Sequence, residues 1–326
     1  MTPIHQRPEL AAPEGVTGQM SWGRSLTDRL ERAFERAEGW TWMVIIAVYG
    51  GIATMLAAAS WMPLWVVCPT LVVLGAWHAH MQHELLHGHP TSREWLNDLM
   101  ASLPVTLLYP YSVYKRSHMD HHLSDLANPM DDPESFYVSP DAWARFGAIR
   151  RGVLLANNTL LGRFLIGPFF AAMSLYREQG AHLIRGDRRA WLDWTVHAVL
   201  VSVYLWTVSQ VSGLSPWLYV VGVAYPALGL AMVRSFLEHR AVADHDQRTA
   251  VVEANWFWSL LFLNNNLHVM HHDRPGEPWY RLPRLYREQR DAVLQRNGNY
   301  VYAGYGDVTR RFLLTPKDVP VFQEKA

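Results

Sequence analysis

Three groups of histidines carry the chemistry this chain could perform. His83-Glu84-Leu85-Leu86-His87 is an H-x-x-x-H pattern, while His118-Met119-Asp120-His121-His122 and His268-Val269-Met270-His271-His272 are two copies of H-x-x-H-H. With 16 His in 326 residues, one H-x-x-x-H is expected about 0.8 times by chance, so His83 and His87 alone prove nothing. Each H-x-x-H-H is expected only about 0.04 times, so two copies amount to a coincidence on the order of one in a thousand. Residues three and four apart share a helix face, so each group can aim its imidazoles at a single point, as a metal requires. The bland alternative is a set of satisfied core or surface histidines.

Composition narrows the metal and the partners. Cys68 is the one cysteine and lies in an apolar run, which excludes disulfides, Cys-bound iron–sulfur clusters and Cys-type zinc sites. A His-rich donor set suits iron, copper, nickel or zinc. The formal charge is zero, without the basic excess of a nucleic-acid binder. Half the residues are apolar and they bunch into long runs, which points away from two soluble domains.

Those runs must position the histidines. Residues 1–20 lack periodicity and the apolar core of a signal peptide, and read as a disordered tail in which His5 is inert. Residues 21–39 read as an amphipathic helix on the membrane surface, with Leu26, Leu30 and Phe34 opposed by arginines. Trp40 to Ser60 is long enough to cross a bilayer. A second helix from Pro63 to His87, with a possible kink at Pro69, is about 37 Å long at 1.5 Å per residue, so its last turns carry the first histidine group past the hydrocarbon core. Asp98 to Tyr114, broken by Pro104 and Pro110, reads as an interfacial or re-entrant segment. The acidic stretch after the second group, with Asp125, Asp131, Asp132 and Glu134, reads as a solvated loop. Val153 to Tyr176, interrupted by Asn157, Asn158, Arg163 and Pro168, is placed in the interface. Trp191 to Val211 and Ser215 to Val233 are the third and fourth spans, and Trp256 to Leu263 is a short apolar run before the third histidine group.

The tight connections at 60–64 and 209–217 contain no Lys or Arg, whereas the other loops are Arg-rich. The positive-inside rule therefore puts all three groups in the cytoplasm, on the inner membrane of a bacterium or the endoplasmic reticulum of a eukaryote. The expected fold is all-α and multi-pass, with four transmembrane helices in two hairpins. Residues 40–272 form the membrane catalytic domain, and 273–326 a cytoplasmic helical cap over a His-rich di-metal site.

Within one compartment the candidate ligands are His83, His87, His118, His121, His122, His239, His268, His271 and His272. Nine imidazoles are too many for one ion. Two ions of five or six coordination could use them and keep positions for water or dioxygen. Glu84, Asp120, Glu238 and Asp273 are suited to orienting ring N–H groups, or are solvated carboxylates. His80 and His89 could touch the site, and His78 points away. His182, His197 and His245 carry no functional reading.

The boxes HELLH, HMDHH and HVMHH, set after a second span, in the following loop and after a fourth span, resemble the integral-membrane fatty acid desaturase and hydroxylase superfamily. The resemblance runs from about Trp40 to Tyr286. It implies a non-haem centre of two iron ions, dioxygen as co-substrate, and two electrons per turnover from an external donor. It also implies hydrogen abstraction from an unactivated C–H bond of a hydrophobic acyl or hydrocarbon chain. Under it the eight box histidines are iron ligands, His239 matches the position of a further one, and Asn265 matches an asparagine that reaches iron through water. No His-Pro-Gly-Gly, Cys-rich ferredoxin or G-x-G-x-x-G pattern occurs. The donor, of ferredoxin, rubredoxin or cytochrome b5 type with an NAD(P)H reductase, is then a separate protein. Chain length and box pattern look more like the desaturase branch, with hydroxylation of an alkane, carotenoid or smaller substrate the alternative.

Other readings compete. HELLH is also the H-E-x-x-H signature of zinc proteases, but Pro90 stands where the extended form needs Gly, and the other two boxes would have no purpose. Glu84-x-x-His87 is half of a ferritin-like di-iron motif, without a second half. A metal sensor or transporter would want ionisable groups in mid-membrane, where the spans offer little beyond His197.

Overall fold

Apolar runs bounded by proline, glycine and capping side chains set the long helices. The computed structural model describes residues 26–322, so the expected 1–20 tail and His5 lie outside the described residues. Helix α1 (Leu26–Arg36) belongs to a unit that ends at Ala37, and everything from Glu38 onward is a second compact unit. Helix α2 covers Gly39–Ala58, and α3 covers Leu64–Leu86 and runs through Pro69 unbroken. Pro63 supplies the extended residue before α3. Then come α4 (Glu94–Ala101), α5 (Tyr111–Leu123), α6 (Pro140–Arg145), α7 (Ala148–Asn157) and α8 (Leu160–Ile184). The expected interfacial segment at 98–114 is the end of α4, an irregular stretch and the start of α5.

Asp187 caps α9 (Arg188–Ser212) by accepting from the N–H groups of Arg189 and Ala190, and Gly213 at φ 72° ends it. Ser215 caps α10 (Pro216–Tyr219), whose proline suits the first helical turn. A π-helical turn at Val220–Ala224 joins α10 to α11 (Tyr225–Glu238). Helices α12 (Trp256–Leu261), α13 (His268–Asp273), α14 (Leu282–Arg296) and α15 (Tyr305–Phe312) complete the chain. Strands β1 (Val251–Val252) and β2 (Val301–Tyr302) form a two-stranded parallel sheet.

Among the described residues, four helices are long and apolar enough to cross a membrane: Gly39–Ala58, Leu64–Leu86, Arg188–Ser212 and Pro216–Glu238. They carry outward-facing Ile46, Trp65, Leu192, Trp206 and Trp217, an apolar surface suited to lipid rather than water. The segment placed in the interface is a broken helix, α7 and α8 meeting at 110°. Asn157, Asn158 and Thr159 occupy the break, and Thr159 caps α8 by accepting from Gly162 N–H. If that pair is one span, it adds a fifth.

Small residues let the helices approach. A Cβ on Gly75 would lie 2.9 Å from Ala227 Cβ, and one on Gly229 would lie 2.3 Å from the Phe164 carbonyl oxygen. Close backbone approach of this kind substitutes for the hydrophobic drive that helices lack in lipid. Gly229→Ala is therefore expected to destabilise the fold by about 1–3 kcal/mol. Gly50→Ala, with nothing within 4 Å, shares only the gain in helix propensity and serves as the reference. Equal thermal stability of the two variants in detergent would contradict this packing.

Candidate metal centre

The three boxes sit at helix termini that converge. His83 and His87 end α3, His118, His121 and His122 lie in the last turns of α5, and His268, His271 and His272 make up half of α13. They form two groups. His83, His87, His118 and His271 gather at one place, and His121, His239, His268 and His272 at another, the ligand atoms of each group lying within 4.8 Å of one another. His122 Nε2 is 3.0 Å from both His118 Nε2 and His271 Nε2, which makes it a fifth imidazole of the first group.

The expectation that each box aims at one point is corrected by this arrangement. At 100° per residue, positions i and i+4 diverge by about 40°, while i+3 turns about 60° the other way. His118 and His122 thus serve the first group, and His121 crosses to the second. The third box mirrors this, with His268 and His272 in the second group and His271 in the first. His239 joins from the extended residue after α11.

The nitrogen spacings fit coordinated metal better than a hydrogen-bonded chain. Neighbouring Nε2 atoms lie 3.0–3.2 Å apart in the first group and 3.1–3.2 Å apart in the second. An imidazole–metal bond of about 2.1 Å puts adjacent ligands of an octahedron about 3.0 Å apart and those of a tetrahedron about 3.4 Å apart. Neutral imidazole has one N–H, and several of these rings spend it elsewhere. His118 Nδ1–H donates to Glu134 Oε1 at 3.0 Å, His121 Nδ1–H to Asp132 Oδ1 at 2.7 Å, and His268 Nδ1–H to Asn265 Oδ1 at 2.8 Å. Their Nε2 atoms are left for a cation, the arrangement by which outer partners direct metal-binding imidazoles.

Electrostatics agree. Burial, with the charges of neighbouring imidazoles, holds His87, His239, His268, His271 and His272 well below the usual imidazole range, and His122 down to about 3. They are neutral near pH 7, the form that binds metal. For His121, burial pulls downward, but Glu134 and the Asp132 hydrogen bond outweigh it and raise the ring to about 9. Metal binding there must displace a proton. The donor set of nine imidazoles in two adjacent groups fits two ions.

The fatty acid desaturase family profile matches residues 59–304, more than half of the chain, and that stretch contains all three boxes and His239. The chain belongs to the fatty acid desaturase family. No curated protein matches it.

The other residues singled out in this desaturase-family chain fall in different places. Asn265 is buried between the groups, its amide nitrogen 3.2 Å from His83 Nε2. Left-handed Leu263 and Asn264 make the turn that puts it there, anchored where Asn264 donates to Trp279 O and Asn266 to Val252 O. Glu238 Oε1 lies 3.4 Å from His268 Nδ1 and pairs with Arg234. Glu84 is buried and accepts from Trp279 N–H at 2.9 Å, so its carboxylate is engaged with backbone and not displayed as a protease base. Asp120 is exposed, and Asp273 is paired with Arg296; neither orients a box imidazole. His80 packs edge-on against Phe262, His89 Nδ1 pairs with Glu38 at 2.7 Å, and His78 Nε2 meets the Tyr49 hydroxyl.

The carboxylates that do orient imidazoles, Asp132 and Glu134, come from the acidic stretch expected to be a solvated loop. Its return to the box is built from local hydrogen bonds: Asp132 Oδ2 accepts from Ala127 N–H, and its Oδ1 from Glu134 N–H. The available signal was an acidic run beginning three residues after His122. Lys317, which no motif flags, donates to the carbonyls of Phe236 and His239 and so fixes the backbone that presents His239.

Proposed function

We propose that this protein is a membrane-bound, dioxygen-dependent, non-haem di-iron oxidoreductase. It removes hydrogen from an unactivated C–H bond of a lipid or acyl chain to introduce a double bond. The observation that carries the reading is the pair of interleaved histidine groups in a chain of the desaturase family. When bound, two iron ions supply the oxidising power, with dioxygen, for breaking such a bond. The overall balance is two protons and two electrons from the substrate, two protons and two electrons from outside, and reduction of one dioxygen to two waters.

The residues of the chain have definite parts in this. Glu134, Asp132 and Asn265 hold protons on Nδ1 so that Nε2 faces the ions. Burial of His83, His118, His121, His268 and His271 excludes bulk water, which would intercept an oxidised substrate. Electrons come from a separate protein of ferredoxin, rubredoxin or cytochrome b5 type served by an NAD(P)H reductase.

Hydroxylation is the second reading, because the same site yields it when oxygen transfer outruns removal of the second hydrogen, a matter of placement. Mass spectrometry of the product separates them: loss of two hydrogens supports desaturation, and gain of one oxygen atom contradicts it. We also place the boxes on the cytoplasmic side. A reporter fused within residues 209–217 is expected on the opposite side, and a cytoplasmic reporter there would overturn this orientation.

A further inference from the structure

One turn before His83 on α3, buried polar side chains from three elements lie within electrostatic range of Arg234, and several of their atoms make no hydrogen bond within the protein. His80, Arg234, Glu238 and Tyr305 are each more than nine-tenths buried. Among the described residues, His80 Nε2, the Tyr305 hydroxyl and Arg234 Nε and Nη1 have no hydrogen-bond partner. The four side chains share one neighbourhood. The Phe262 ring contacts His80 at 5.0 Å and Tyr305 at 5.1 Å, and the Arg234 guanidinium lies within electrostatic range of both. Arg234 Nη1 is 2.7 Å from Glu238 Oε1, yet both atoms lack hydrogen-bonding geometry there.

Unpaired polar atoms at this depth are costly, and native interiors rarely keep several in one place without a use for them. Burial pushes the Tyr305 hydroxyl well up, so it remains a donor. Arg234 adds N–H donors, and His80 Nε2 can donate in one of its tautomers. Glu238 offsets the guanidinium charge, which favours a neutral acceptor over a carboxylate. His80 precedes His83 by three residues on the same helix face, about 4.5 Å along the axis, so the bound group would lie close to the reacting carbon.

We infer that His80, Arg234 and Tyr305 form a subsite for a neutral oxygen function, a carbonyl or a hydroxyl, borne by the hydrocarbon chain near the carbon that is oxidised. The inference rests on the oxidoreductase reading above and narrows its substrate class. A site built to hydrogen-bond an oxygen discriminates strongly against an analogue that lacks it, because its own donors are then left unpaired.

The test uses the full-length holoprotein in lipid nanodiscs without reductant, with two probes: a long-chain methyl ketone and the alkane of equal length. Binding is read from the distribution of radiolabelled probe between protein-containing and empty nanodiscs. The ketone is expected to bind at least about tenfold more tightly than the alkane, and Tyr305→Phe and His80→Phe should each reduce that preference about fivefold or more. The ligand-free Tyr305→Phe protein should melt no lower than the parent, since its hydroxyl has no partner to lose. Equal affinities, a preference untouched by both variants, or a lower melting temperature for Tyr305→Phe would overturn the subsite. Iron is counted in the same samples: fewer than two ions per chain would count against the oxidoreductase reading, while the ketone-to-alkane ratio still decides the subsite.

Discussion

His121→Ala leaves the protein with about one iron per chain in place of two, and turnover falls by more than about 100-fold, beyond the loss expected when only an outer partner of a metal ligand is removed. The reason is the crossing of the second box. His121 stands in the group with His239, His268 and His272, whereas its neighbours His118 and His122 stand in the other. Removing it empties part of one site and leaves the first group with all of its imidazoles. A chain in which each box served its own ion would lose iron differently, because His121 and His118 would then fail together. The measurement is iron per chain beside product formation in the same preparation, and full iron occupancy would remove His121 from the ligand set.

Asp132→Asn is expected to lower iron affinity or activity by about 10–100-fold, the range for partners that orient metal-binding imidazoles. Asp132 is buried, and its two oxygens take His121 Nδ1–H, Glu134 N–H and Ala127 N–H. An asparagine offers a single oxygen to these donors and sets an N–H against the rest. Asp120→Asn should change nothing, because that side chain is exposed. Titration with a chelator compares the two: equal resistance of Asp132→Asn and the parent would show that the carboxylate does not hold His121 for metal.

The contrast between Asp120 and Asp132 shows what a linear pattern carries. Apolar runs and histidine spacing are local, so the long helices and three boxes were legible from composition and period. The helix from Gly39 to Ala58 and that from Leu64 to Leu86 fall within a few residues of the apolar runs that announced them. Adjacency in sequence misled where helix geometry decides direction. Asp120 lies inside a box but on the far side of its helix, whereas Asp132 returns through a turn that no periodicity marks. The sharing of each H-x-x-H-H between two groups is likewise fixed by the docking of α3, α5 and α13. The spacing alone allowed either arrangement. The bend between α7 and α8 falls at Asn157, Asn158 and Thr159, where the Thr159 hydroxyl donates to Ala156 O and accepts from Gly162 N–H in competition with helical hydrogen bonds, and the Asn158 side chain bonds Asp318. Asn157 and Asn158 were visible as interruptions, but the angle between the pieces was not.

We propose that nine imidazoles in two interleaved groups hold two iron ions. This is tested most directly by metal analysis of the full-length protein, purified in mild detergent from cells supplied with iron, with metals counted per folded chain. Two iron ions per chain are expected. One zinc ion per chain, with iron absent, would contradict it and return HELLH to the zinc protease reading.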